Sequence, residues 1–262
     1  LRALLKSAPP PAKAGGTISG TSPIAAIDAT ILTLIDGRYD SSLSGSLPKG
    51  VTVTTAAALA DDGESKNGVL SSDPVIALNA AFSDHALDID IASHTDLATA
   101  LVLRLVTTGA HASYPRVRIN IGDHARAFII ESHEGGTAGS LVNSVLELRM
   151  GHQVDVDHVR LNLVDRTATV LTTFGGAMGK ASRYRGHNFV VGGALSRHQI
   201  FFRFDGEDAK AELSSAAMLN ARQHADTTLV VDHAVPQCES REFFAHVLDQ
   251  ESTGVFQGKI IV

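Results

Sequence analysis

Three side chains near the end of this sequence could bind a metal: His224, His233 and Cys238, spaced nine and five residues apart. Imidazole and thiolate are both zinc ligands, but structural zinc sites take four of them, usually paired at short spacings. This set has three loose ligands and no fourth. The preferred reading is that His233, after the apolar Val230-Val231, pins a turn through one ring nitrogen. Cys238 is read as a small, partly buried side chain rather than a catalytic thiol.

Asp-His dipeptides recur at Asp84-His85, Asp123-His124, Asp157-His158 and Asp232-His233. Neighbours on a strand point to opposite faces, so a dipeptide of this kind cannot by itself build an acid–base pair. No G-x-S-x-G elbow supplies a nucleophile. The stretch from Phe174 to Ser182, FGGAMGKAS, has the Gly-Lys of a phosphate loop. Its first glycine would have to stand where Phe174 is, Ala181 replaces the magnesium-binding hydroxyl, and the next residues, ASRYRGHNF, do not read as a helix. A turn between strands is the expectation there. No residue is therefore assigned a catalytic, cofactor-binding or metal-binding role.

The elements that would position such residues are set by composition and pattern. At 262 residues, 44% hydrophobic and 19% charged, the chain can bury a sizeable core. Its net charge of −6 and lack of any basic block argue against a nucleic-acid surface. A single cysteine rules out an internal disulfide and suits a reducing compartment, so a cytoplasmic location is expected. No apolar run reaches the length of a signal peptide or a membrane span.

In chain order, residues 1 to 6 read as the end of a helix, 8 to 16 as a Pro/Gly-rich linker, and Asp36-Gly37 as a hairpin turn after a strand. A short strand at 51 to 54 precedes an Ala-rich, helix-prone stretch at 56 to 61. Ser72-Asp73-Pro74 is the clearest helix start, with Val75, Leu78, Asn79 and Phe82 near one face. ALDIDIA, residues 86 to 92, alternates as a half-buried strand; 98 to 107 fits helix or strand. From Pro115 onward, strand-like runs are expected at 117–121, 125–131, 141–148, 153–163, 167–174, 187–195, 199–204, 210–218 and 227–231. Their spacing fits a sandwich, a barrel or a solenoid, and no strict residue-level repeat chooses among these.

A resemblance does choose. Gly206, Arg222, Gln223, His224, Asp226, Val231-Asp232-His233, Pro236, Ser240, Val247-Leu248-Asp249 and Gly254-Val255-Phe256, with Gly258 and Lys259, resemble the SufB/SufD family of iron–sulfur cluster assembly proteins, on its SufD side. The resemblance implies an all-β fold, a right-handed parallel β-helix, over 85–262, with a small mixed α/β segment and linker over 1–84. It further implies a non-enzymatic scaffold subunit that pairs with a SufB-like subunit and a SufC-like ATPase. The iron–sulfur cluster would then be expected only in the complete complex, with no cofactor in this chain. The family's ligand-bearing motif lies C-terminal to the Gly-Val-Phe-x-Gly-Lys segment, beyond Val262, so no ligand is carried onto any residue here. The chain reads as a fragment, and the apolar run ending at Val262 is expected to pair with a second copy as a homodimer. The alternative on the same architecture is a carbohydrate-active lyase or glycosidase, disfavoured by the absence of Trp and the presence of only three Tyr.

Overall fold

The structure is a computed structural model that describes residues 8–12, 16, 18, 22, 24, 26–57 and 73–262. The expected helix end at 1 to 6 and most of the helix-prone stretch at 56 to 61 lie outside the described residues, as does part of the linker at 8 to 16.

The chain winds as a β-solenoid of about six turns. The first sheet contains β1 (Ala29–Ile35), β2 (Arg38–Asp40), β5 (Ala100–Thr107), β8 (Arg126–Gly135), β10 (Asp155–Asn162), β12 (Arg183–Val190), β14 (Lys210–Leu219) and β16 (Glu239–Leu248). The second sheet contains β3 (Val51–Ala57), β4 (His85–Ile91), β7 (Arg116–Ile121), β9 (Leu141–Met150), β11 (Thr169–Met178), β13 (Leu195–Phe204), β15 (His224–Asp232) and β17 (Thr253–Ile261). A two-residue strand, β6 (Ala112–Ser113), pairs with β9. From β7 on, successive long strands alternate between sheets, and each is hydrogen-bonded in parallel to the strand one turn away. Thus Arg126 sits beside Asp155, Asp155 beside Arg183, and Arg183 beside Lys210.

Parallel stacking in register places like positions over one another, and alternation sends every second side chain into the bore. Leu87, Val117, Leu146, Phe174, Ile200 and Leu229 form one inward ladder. Ile89, Ile119, Leu148, Gly176, Phe202 and Val231 form the next. Gly176 is a packing requirement: a Cβ there would meet the Phe202 ring at 2.6 Å. Facing outward, Asp88 and Asp90 leave the alternating strand β4 as expected, and Asp88 takes a two-pronged contact from Arg118.

One corner of the solenoid repeats a backbone conformation rather than a residue. His94, His124, Gln153, Ala181, Asp208 and Gln237 all have φ between 55° and 62°. The amides of His94, His124, Gln153 and Ala181 each donate to a carbonyl of the next turn, so the corner carries its own ladder. The rings of His94 and His124 stack at 4.8 Å.

The first strands extend these same sheets. β1 pairs in parallel with β5, β3 pairs antiparallel with β4, and β1 and β2 form the expected hairpin at Asp36 and Gly37, both at positive φ. The helix α1 (Pro74–Phe82) starts as expected, with the Asp73 carboxylate accepting from the Val75 amide. Its buried side is Val75, Ile76 and Asn79, whereas Phe82 is exposed and stacks on Tyr114. Asn79 donates to the carbonyls of Asn143 and Pro115, which fixes the helix across the outer face of the second sheet. The ambiguous run at 98 to 107 is strand β5. The run placed at 187–195 is displaced: the strand is Arg183–Val190, and Gly192-Gly193 turns the corner after it.

Candidate functional site

The FGGAMGKAS stretch is no loop over most of its length. Phe174 to Met178 belong to β11, the turn is confined to Gly179 to Ala181, and a strand comes next. Gly176 makes room for the Phe202 ring, and Gly179 lies against the backbone of Gly151 one turn away. His224 opens β15 and His233 comes directly after its last residue, so about 30 Å of extended chain separates them. His233 bonds Ser240 Oγ at 3.1 Å through Nε2 and packs against Phe204. Cys238, half-buried, lies beside the carbonyl of Gly206 at 3.4 Å. Among the described residues, no group of three or more His, Cys, Asp or Glu is placed to hold a metal ion. Of the Asp-His dipeptides only Asp157-His158 lies within one strand, and it splits across the faces: Asp157 points out to Arg185, while His158 points in to Tyr184.

The densest chemistry lies in the middle of the bore, where two polar ladders interrupt the apolar ones. On the first sheet, Leu103 is succeeded turn by turn by Glu131, Arg160, Asn188 and Ser215. Across the bore run Ser144, Thr172, His198 and Thr227. His133 and His158 flank the first ladder, and every one of these polar residues is buried. Sequence patterning did not single out Glu131, His133, Arg160, Tyr184 or His198. Their signal was present: a charged or imidazole side chain at the inward parity of an otherwise apolar strand.

Arg160 is the central donor of this tract. Arg160 donates to Asn188 Oδ1 at 2.7 Å and to Thr172 Oγ1 at 2.9 Å. Asn188 passes a hydrogen bond to Ser215 Oγ at 3.0 Å. The Thr172 Oγ1 also lies 2.9 Å from His198 Nδ1 and donates to the Arg197 carbonyl at 3.3 Å. At the other end Glu131 is the sink. His133 Nε2 reaches it at 2.5 Å, His158 Nε2 stands at 3.4 Å, and Arg160 Nε at 3.7 Å. His158 Nδ1 lies 2.9 Å from the Tyr184 hydroxyl.

The electrostatics are a consequence of this wiring. Burial by itself would push the Glu131 carboxyl up, but His133, the hydrogen bonds from His133 and His158, and Arg160 together hold it well below the usual carboxylate range. Burial pushes His133 down, and the Glu131 charge offsets this only in part. Burial, then the Arg160 charge, pushes His198 well down. Burial, reinforced by Glu131, pushes the Tyr184 phenol well up. At neutral pH the tract thus holds the Glu131 carboxylate, the Arg160 guanidinium and neutral imidazoles at His133 and His198.

The fold and this site define a class: a parallel β-solenoid with a polar interior, whose buried charges are paired across successive turns. Residues 104–262 match the family described as SUF system FeS cluster assembly, SufBD core domain. The chain belongs to the SufB/SufD family. It is 26% identical over 200 residues to an iron–sulfur cluster assembly SufBD family protein of Synechocystis, covering 71% of this chain and 44% of that protein. It is 21% identical over 243 residues to the iron–sulfur cluster assembly protein SufD of Escherichia coli, covering 90% of this chain and 56% of SufD. A SufBD family protein of Mycobacterium tuberculosis is 24% identical over 233 residues, covering 84% and 56%. The chain spans about half the length of these relatives. Among the described residues no helix is long and apolar enough to cross a membrane.

Proposed function

We propose that this chain is the β-solenoid part of a SufD-like, non-enzymatic scaffold subunit of iron–sulfur cluster assembly, which pairs with a SufB-like subunit and a SufC-like ATPase. The observation that carries the reading is the family match across β5 to β17. A second observation supports a partner at the last turn. β16 and β17 are outermost in their sheets, and Met218, Phe243, Val247, Phe256 and Ile260 are exposed on or beside them. Strand edges flanked by exposed apolar side chains are pairing surfaces. The cluster is cargo of the assembled complex, and no ligand to it is assigned to a residue of this chain. The reading places the work in the reducing cytoplasm, with no nucleic acid and no membrane involved.

The test is co-expression with SufB-like and SufC-like partners from one source, then affinity capture and size measurement. The expected result is a stoichiometric complex that is disrupted by Phe243→Glu together with Val247→Glu. Recovery of the chain free of both partners, with the partners themselves folded and associated, would remove the proposal.

A further inference from the structure

Tyr184 is buried in the bore, and its hydroxyl lies 2.9 Å from His158 Nδ1. On the far side of the same ring, His158 Nε2 stands 3.4 Å from the Glu131 carboxylate. A carboxylate only accepts, so the ring proton of His158 is on Nε2, and Nδ1 is left to accept from the phenol. Carboxylate, imidazole and phenol thus form a chain that can take up the phenol proton. The adjoining cavity of about 30 Å³ is too small for an organic substrate, so group transfer to Tyr184 is excluded. An electron needs no opening.

The rings around Tyr184 make a row toward the surface. Tyr184 and Phe202 have centroids 5.0 Å apart, Phe202 and Phe204 5.8 Å, and Phe204 and His233 4.7 Å. His233 is half-buried, at the corner that holds Gln237. The sequence has no tryptophan and one cysteine, and beyond Tyr114 the only tyrosine is Tyr184, so few side chains there give up an electron as readily.

We propose that Tyr184 is a one-electron donor whose phenol proton passes to His158 as the electron leaves, so that the bore traps oxidising equivalents arriving at the His233 corner. One electron goes to the oxidant, the O–H bond of Tyr184 breaks and an N–H bond forms at His158 Nδ1. A neutral tyrosyl radical is left beside an imidazolium. Burial and the Glu131 charge push the phenol well up, so the proton does not leave first. The imidazolium faces the Glu131 carboxylate, while the terminal nitrogens of Arg160 are engaged elsewhere, by Asn188 and Thr172. The oxidants are of the ferryl and hydroxyl-radical class that forms where iron meets peroxide. That role rests on the iron–sulfur reading above; the donor chemistry does not.

The probe is photogenerated ruthenium(III) tris-bipyridine, with persulfate as electron acceptor, acting on the full chain carrying Tyr39→Phe, Tyr114→Phe and Cys238→Ser. No cluster or partner is needed. Flash photolysis should give a tyrosyl radical by absorbance and by electron paramagnetic resonance, and adding Tyr184→Phe should abolish it. Formation should slow at least about a hundredfold in His158→Gln, whose amide cannot take the proton. With His158 in place, an exchangeable proton should couple to the radical oxygen and be lost in deuterium oxide, a measurement that stands even where His158→Gln fails to fold. Absence of a tyrosyl radical in the background chain would overturn the proposal. So would formation at an unchanged rate in His158→Gln, or a radical with no exchangeable proton at its oxygen.

Discussion

His133 reaches back two residues along its own strand to Glu131, Nε2 to Oε1 at 2.5 Å, with both side chains pointing into the bore. Two residues is the repeat of one strand face, so β8 alone supplies an imidazole and a carboxylate in contact. Arg160, one turn on, completes the charge balance.

Removing that carboxylate should be costly. Glu131→Gln leaves the Arg160 guanidinium buried without a counter-charge, and loss of one member of a buried pair costs about 3–5 kcal/mol. Urea denaturation should show a loss of this size. Adding Arg160→Met to Glu131→Gln should recover a large part of it, since the double variant leaves no unpaired charge. A double variant less stable than the single one would contradict the assignment of the pair.

Stability should decline as the solution is acidified from about pH 6.5, because in the unfolded chain each histidine takes up a proton near that value. Folded His133 and His198 resist protonation until a lower pH. The unfolded state then binds more protons, so stability falls with falling pH at about 1.4 kcal/mol per pH unit for each such histidine. Glu131, held low in the fold, adds a further loss only at more acid pH, below its unfolded value. Denaturation curves from about pH 7.5 to about pH 5.5 should show the decline, and His198→Phe should make it shallower. A flat profile would mean that these imidazoles are already charged in the fold.

The corner residue Ala181 has φ near 55°, a conformation in which its Cβ is strained. Ala181→Gly should relieve that strain by more than it loses in chain entropy, a net gain of about 0.5–1 kcal/mol. Thermal unfolding of the pair decides it, and a lower midpoint for the glycine variant would refute the strain argument.

Self-association should run through the last turn. With β17 outermost in its sheet and Ile260 exposed, the isolated chain is expected to form a dimer by edge pairing. Ile260→Lys should raise the dimer dissociation constant at least about tenfold, a loss of about 1.4 kcal/mol, without altering circular dichroism. Sedimentation equilibrium distinguishes this from a monomer at all concentrations.

What could be read from the residues alone was whatever depends on neighbours in sequence. Asp36-Gly37, Asp73-Pro74 and the alternation of β4 are local devices, and each lies where the pattern placed it. The bore was not legible for the opposite reason. The pattern ends the run beginning at 125 at Glu131, but β8 continues to Gly135; it starts the next inward run at Gln199, although Ser196 and His198 already face inward on β13. A buried polar residue looks like the end of a strand until its partner one turn away is known, and those partners lie 26 to 28 residues distant along the chain. The corners were hidden too, because histidine, glutamine, alanine and aspartate hold the positive-φ positions where glycine would have signalled the period.

The in-register stacking also bears on how the length of such a chain can change over descent. A whole turn inserted or lost between like corners keeps every remaining strand in phase, so related chains should differ in length by whole turns more readily than by fractions of one. The interior pairs limit where this can happen. Glu131 needs Arg160 on the adjacent turn, and Arg160 needs Asn188 on the next, so turns should be gained or lost on either side of β8 to β12 and not within them.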